Sequence, residues 1–365
     1  MIGVAVVGTG FGQKVHIPGF QATPRTEVVA VYNRDLDKAK AIAESHNIPH
    51  ACNSIADIVK LPKVQAVSIS TPPFLHYEMA KAVLQAGKHL LLEKPTTLNV
   101  AEAKELYQIA KQTGAIATVD FEFRFVPEWQ FLDELLLQGY VGSKRLIKID
   151  WLGSSRSNAE RPWNWYSCKD QGGGALGSLG SHTFDYIHWL FGSVRSLSAH
   201  LSTAIPQRPD PATVELKSVE TDDTCMLMLE LADGTPIQVS ISAVVHAQRT
   251  HSIEVYGDRG TLVLVSENQK DYIYGFRVYG SPTGKPLTEV QIPHRLTFKK
   301  NYTDGRISAF MRVVDEWVQG IDRQEVIVPS LREGVYSQLL MDLSYESHLK
   351  SSWVDVPVLE EFLAS

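Results

Sequence analysis

Lys94 closes an apolar run, Leu90-Leu91-Leu92-Glu93-Lys94-Pro95. His182 ends a glycine-rich one, Gly172-Gly173-Gly174-Ala175-Leu176-Gly177-Ser178-Leu179-Gly180-Ser181-His182. Gly8, Gly10 and Gly12 stand near the N-terminus. A lysine at the end of a buried strand can stabilise negative charge on an oxygen, and a histidine can exchange a proton near neutrality. Glycines ahead of a histidine let the chain approach a ligand closely. Plainer readings exist for both residues: Lys94 as an exposed loop lysine, His182 as a satisfied structural histidine.

The N-terminal glycines add a third chemistry. Gly8-Thr9-Gly10-Phe11-Gly12-Gln13 follows the apolar segment Ile2–Val7 and should open a helix. The first glycine permits a tight turn, and the second lets backbone approach a pyrophosphate seated on the helix N-terminus. Gln13 stands where a third Gly or Ala is usual, with Gly12 one residue earlier to relax the packing. Some 20 residues on, an acidic side chain would bind the ribose of NAD. Asn33 occupies that position, followed by Arg34. Asn does not repel a 2′-phosphate and Arg can donate to one, so NADP is favoured over NAD. The alternative is that Arg34 is a solvated charge and Asp35 caps the next helix.

These groups need elements to hold them. Strands are expected at Ile2–Val7, Val28–Tyr32, Ala66–Ser70, His89–Leu92 and Ile116–Phe121. Helices are expected at Asp35–His46, His76–Gln85 and Val100–Gln112, with Gly87 and Gly114 as stops. Regular alternation of strand and helix implies a parallel sheet. Thr71-Pro72-Pro73 ends one of its strands, where ligand crevices form. His76, just beyond, either contacts a cofactor or sits in the first turn of its helix. The Lys94–Pro95 bond is of the X-Pro type that can be cis.

After about residue 122 the rhythm changes. A helix is expected at Pro127–Gln138 and a strand at Leu146–Trp151. A loop through Arg161-Pro162-Trp163-Asn164-Trp165-Tyr166 then leads to the helix carrying His182. Strands follow at Val194–Ala204, Cys225–Leu231, Pro236–Ala243, Ser252–Tyr256, Leu262–Val265 and Tyr272–Tyr279, with a hairpin turn at Ala232-Asp233-Gly234-Thr235. Residues Ile307–Gly320 and Leu331–Leu349 return to helical spacing. The reading is α/β with two domains: a doubly wound parallel sheet over 1–122 and an α/β domain with a large open, mostly antiparallel sheet over 123–365.

Composition bounds the partners. The chain has 365 residues, is 44% hydrophobic and carries a net charge of -6, which argues against nucleic acid. Cys52, Cys168 and Cys225 lie in no metal-ligand spacing, so no metal is expected and a reducing compartment fits. No run approaches the roughly 20 apolar residues of a membrane span, and the N-terminus lacks a basic leader, so a cytoplasmic protein is expected.

Taken together, the motifs resemble the Gfo/Idh/MocA family, the glucose-fructose oxidoreductase and inositol dehydrogenase type. The resemblance rests on Gly8-Thr9-Gly10, Thr71-Pro72-Pro73 with His76, Ala86-Gly87-Lys88-His89, Glu93-Lys94-Pro95, Phe123-Arg124-Phe125, the Gly172–Asp185 block and Tyr256-Gly257-Asp258-Arg259-Gly260-Thr261-Leu262. It implies a hydride transfer between NAD(P) and a small alcohol or carbonyl, a sugar or cyclitol derivative first. Lys94 and His182 match the family's catalytic Lys and His. The Asp that family members carry four residues before the His is Ser178 here, a neutral hydroxyl; Asp185 is its nearest substitute. The cofactor set is Gly8, Gly10, Phe11, Gly12, Asn33, Arg34, Thr71, Pro72, His76, Glu93 and Lys94. Arg124, Trp163, Tyr166, Ser178 and Asp185 are the substrate candidates, with Trp163 and Trp165 serving equally as core or interface residues. An open sheet must cover its apolar face, so a homodimer or homotetramer through the C-terminal sheet is expected. Two alternatives stay open: a dinucleotide-binding regulatory protein of the same family, and a C=C or C=N reductase resembling biliverdin reductase.

Overall fold

Strand β1 (Ile2–Val7) shows how the first sheet is made. All six residues are buried, and alternate side chains part to opposite faces: Val4 and Val6 join one core layer, Ala5 and Val7 the other. The remaining strands are β2 (Thr26–Tyr32), β3 (His50–Cys52), β4 (Ala66–Ile69), β5 (His89–Leu92) and β6 (Ala117–Val119). They pair in parallel in the order β3-β2-β1-β4-β5-β6. The order reverses between β1 and β4, and ligand crevices of doubly wound sheets open at such a point. The sequence missed β3 and the helix Ile55–Lys60, which at 3 and 6 residues are too short to show a period.

The computed structural model describes residues 1–246, 250–268 and 271–365. They pack into two units, Met1–Phe125 with Lys300–Gln338, and Val126–Lys299 with Leu339–Ser365. Residues 300–338 thus pack with the N-terminal sheet, whereas the sequence places them in a second domain over 123–365. The helix Gly305–Arg323 explains the difference. Phe310, Val313, Val314 and Trp317 on it are buried with Val4, Val6, Ile17 and Phe20, and Trp317 donates to the Ile116 carbonyl at 3.1 Å. The other face of the sheet is covered by Ala80, Val83 and Leu84 from His76–Gln85 and by Leu106 and Ala110 from Val100–Thr113.

The second unit is built on β7 (Lys144–Leu152), β8 (Val194–Ser202), β9 (Gln207–Pro209), β10 (Leu216–Ser218), β11 (Thr224–Leu231), β12 (Pro236–Ser242), β13 (Thr250–Gly257), β14 (Gly260–Ser266), β15 (Phe276–Pro282), β16 (Thr288–Glu289) and β17 (Val354–Asp355). Nine of them form one sheet in the order β16-β15-β14-β13-β7-β12-β11-β8-β17, while β9 and β10 form a separate ribbon. Only the β7–β12 pair of that sheet runs parallel. Period-2 burial is plain on β11, where Cys225, Leu227 and Leu229 are buried and Met226 and Met228 exposed. The β11–β12 hairpin turns where expected, with Gly234 at φ +84°. The strand expected at 272–279 lies instead at 276–282. Asp271 accepts from the Ile273 and Tyr274 amides and coils that stretch into a turn.

Candidate active site

The glycine turn is tight for a specific reason. Gly8 has φ +104°, and a Cβ there would lie 2.7 Å from the Ser70 backbone. A Cβ on Gly12 would lie 2.4 Å from Ser70 Oγ and 3.1 Å from Val6. Gly12 thus lets the turn close on β4, which explains the tolerance of Gln13 at the next position. Gly10 differs: a Cβ there would meet nothing within 4 Å. Its backbone faces open space, as a phosphate cradle requires. The chain continues through a π-helical turn, Gly12–His16, into the helix Ile17–Ala22.

At the end of β2, Asn33 donates from Nδ2 to Thr9 Oγ1 and accepts the Asp35 amide at 2.9 Å. Its carboxamide therefore braces the glycine turn. Asp35 caps the helix Leu36–Ser45 by accepting from the Asp37 and Lys38 amides. Arg34 is exposed, with no side-chain partner among the described residues.

His76 is fully buried, and both its nitrogens meet carbonyls: Nδ1 lies 2.9 Å from Pro95 O and Nε2 2.8 Å from Thr71 O. Burial lowers its pKa against the pull of those carbonyls. The ring thus ties the Thr71-Pro72 loop to the turn that carries Lys94, and its polar atoms are engaged there. Lys94 itself is half-buried, and the Lys94–Pro95 bond is cis.

Beneath Lys94 lies a network that the sequence did not reveal. Glu93 Oε1 meets His16 Nε2 at 3.0 Å, His16 Nδ1 lies 2.8 Å from Ser68 Oγ, and Asp120 Oδ2 lies 3.7 Å from His16. The His16 ring stacks on Phe310 at 4.3 Å. Burial raises the Glu93 carboxyl, but the His16 hydrogen bond and the charge of Lys94 outweigh it and hold it at about 2. Burial, with Glu93 and Glu122 nearby, pushes the Asp120 carboxyl well up. The ligand atoms of His16, Glu93 and Asp120 lie within 4.8 Å of one another, a spacing open to a cation, yet the His16–Glu93 hydrogen bond already spans it. Arg124 is buried in the short turn Glu122–Phe125; burial raises the Glu333 carboxyl, but hydrogen bonds from Ser330 and then the charge of Arg124 outweigh it and hold it down.

In the second unit, His182 is buried on the helix Ser181–Phe191, which a π-helical turn, Leu176–Gly180, precedes. Asp185 is buried one turn later on the same helix. The His182 ring lies 6.0 Å from that of Trp151. Register places Trp151 opposite His251, and the two rings stack at 4.2 Å. Burial takes His251 down to about 3, so this neighbour of the site is neutral near pH 7. Ser178 Oγ donates to Gly174 O at 2.7 Å and accepts from Arg156 at 2.9 Å. The Arg156 guanidinium lies 4.1 Å over the Tyr166 ring, and Tyr166 stacks on Trp165. Trp163 donates to Ser218 O on β10 at 3.0 Å, and Lys217 covers its ring at 3.5 Å. Trp163 is thus spent on the ribbon. Nothing in the spacing singles out Arg156; the Arg- and Trp-rich character of its loop is its one signal in the sequence.

A doubly wound parallel sheet with a glycine turn at its switch point, joined to a large mixed sheet, defines a two-domain dinucleotide-binding oxidoreductase. The chain belongs to the Gfo/Idh/MocA family. Residues 2–121 match its model for an oxidoreductase family NAD-binding Rossmann fold, and residues 134–356 its C-terminal alpha/beta domain. An uncharacterized oxidoreductase of Synechocystis is 53% identical over 99% of this chain and 98% of its own. Levoglucosan dehydrogenase of Pseudarthrobacter phenanthrenivorans is 26% identical over 98% of both chains. A solved structure of levoglucosan dehydrogenase in complex with NADH and L-sorbose shares the fold, with a TM-score of 0.90 at 24% identity, covering 99% of this chain and all of that one. No helix among the described residues is long and apolar enough to cross a membrane.

Proposed function

We propose that this chain moves hydride between a nicotinamide and a carbon bearing a hydroxyl or carbonyl group on a sugar or cyclitol derivative. The observation that carries the reading is Lys94. It stands two residues past the end of β5, in a turn held by His76 and by the Glu93 network, in a chain of this family. Relatives that include a levoglucosan dehydrogenase support the substrate class. The nicotinamide, when bound, supplies or accepts the hydride. Gly8, Gly10, Phe11 and Gly12 would hold its phosphates, with Thr71, Pro72 and Glu93 lining the crevice. Lys94 stabilises the charge that develops on the substrate oxygen, and His182 gives or takes that oxygen's proton. Asp185 and Tyr166 are assigned to the substrate pocket, with Ser178 standing where family members carry an Asp; Arg124 is a further candidate.

NADP over NAD is part of the proposal, because Arg34 is exposed and no carboxylate occupies position 33. So are a cytoplasmic location and a homo-oligomer through the second sheet, on whose outer face Met226 and Met228 are exposed. The test is turnover of a panel of sugars, cyclitols and bilins with NADP⁺ and NADPH. Lys94→Ala and His182→Ala should each lower kcat by roughly 10²–10⁴-fold while leaving cofactor affinity nearly intact. Turnover equal to that of the parent in either variant refutes the assignment. Tight cofactor binding without turnover of any substrate favours a regulatory protein.

A further inference from the structure

Three arginines line one cleft of the second unit, and none of them has an ion-pair partner among the described residues. The cleft is bounded by Arg156, Arg161, Arg208, Tyr166, Asp222 and Asp223. Arg208 spends Nη1 and Nη2 on the carbonyls of Asn158 and Arg156, both at 2.7 Å, and so fixes the loop. Arg161 caps Ser155 O at 2.6 Å. Arg156 is different. Among the described residues its side chain makes one hydrogen bond, from Nη2 to Ser178, and its Nε and Nη1 meet no acceptor.

The two acids of the cleft are otherwise engaged. Asp222 Oδ2 accepts from the Leu176 amide at 2.7 Å and the Cys225 thiol at 3.0 Å. Asp223 Oδ2 accepts from the Ala204 and Ile205 amides at 2.8 and 3.0 Å. Burial pushes the Arg156 guanidinium down, as do Arg161 and Arg208, against the pull of Tyr166 and Asp222. A guanidinium stays charged in a protein, and a partly desolvated cation beside two like charges is stabilised by an anion. Nη2 keeps a second N–H, which with that of Nε or Nη1 gives two parallel donors that match a carboxylate or a phosphate. Ser178, which Arg156 touches, lies four residues before His182 in one helical run.

We propose that the substrate carries an acidic group, a carboxylate or phosphate on a polyhydroxylated skeleton, and that Arg156 receives it. The inference rests on the dehydrogenase reading above and narrows its substrate class. The experiment sets uronates, aldonates and sugar phosphates beside their neutral parent sugars, with the full chain and saturating NAD⁺ and NADP⁺ in turn. Acidic members should exceed their parents in kcat/KM by about 10- to 100-fold, the range lost with one charge-assisted hydrogen bond. Arg156→Gln should erase that preference through KM. Ser178→Asp should erase it too, by placing a competing carboxylate against an intact Arg156, so the test survives if the first variant misfolds. Preference for uronates and aldonates assigns a carboxylate; preference for sugar phosphates assigns a phosphate. Equal or better turnover of neutral parents overturns the proposal and leaves the dehydrogenase reading standing. If nothing turns over, titration calorimetry of glucuronate and inorganic phosphate decides. Binding that Ser178→Asp abolishes supports the acidic site while the dehydrogenase reading falls, and no binding overturns the site.

Discussion

Gly8 and Gly10 sit two residues apart, yet replacing each by alanine should fail in a different way. At Gly8 the backbone has φ +104°, which an L side chain adopts only with strain, and the new Cβ would stand 2.7 Å from the carbonyl of Ser70. Backbone strain of this kind costs about 1–3 kcal/mol. Forcing a methyl against fixed backbone adds about 1–3 kcal/mol more. Taking about 4 kcal/mol as a central figure, Gly8→Ala should lower Tm by roughly 8–16 °C. Gly10 has no positive φ and no atom within 4 Å of its Cβ position. Gly10→Ala should therefore hold its Tm, or gain slightly from reduced unfolded-chain entropy. Its methyl would instead occupy the space through which a phosphate reaches the turn, so NAD(P)H should bind at least about tenfold more weakly, a loss of about 1.4 kcal/mol. Differential scanning fluorimetry and NAD(P)H fluorescence titration on both variants make the assay. Parent-like NAD(P)H affinity in Gly10→Ala refutes the cradle, and a parent-like Tm in Gly8→Ala refutes the steric argument.

Arg34→Ala should weaken NADPH by about 1.5–3 kcal/mol and leave NADH nearly unchanged; tighter binding of NADH than NADPH by the parent sinks the cofactor choice. Asp120, buried with its carboxyl pushed well above the usual 3.8, keeps a proton that the unfolded chain releases. Stability should therefore fall as pH rises from 3.8 through the folded pKa, and Asp120→Asn should exceed the parent in urea stability at pH 7 while matching it below pH 3.8. The same stability difference at both pH values would mean that the carboxyl is not perturbed. Light scattering should show a dimer or tetramer, and Met226→Lys with Met228→Lys should shift it toward monomer; a monomeric parent at micromolar concentration contradicts this sheet face as an interface.

What could be read from the sequence depended on local rules. β1, the glycine turn, the helix His76–Gln85 with its Gly87 stop and the position of Lys94 all follow from periodicity, capping and breakers within a few residues. The alternation of burial on β11 and β14 was not legible, because Met226-Leu227-Met228-Leu229 and Leu262-Val263-Leu264-Val265 are unbroken apolar runs in the sequence. Asn33 and Arg34 were legible as positions after a strand, but not the Thr9 contact that Asn33 makes. Tertiary structure alone decided the rest, because those features are contacts between distant segments. His16, Ser68, Glu93 and Asp120 meet only when β1, β4, β5 and β6 lie side by side. Residues 305–323 cover the first sheet because their buried stripe fits the layer of Val4 and Val6, a match that no spacing records. Arg156 reaches Ser178 and Tyr166 across 22 and 10 positions of chain, through a loop whose shape Arg208 holds from further away still. An arginine's charge is visible in the sequence, but whether it has a partner depends on which carbonyls and carboxylates the fold brings within about 3 Å of it.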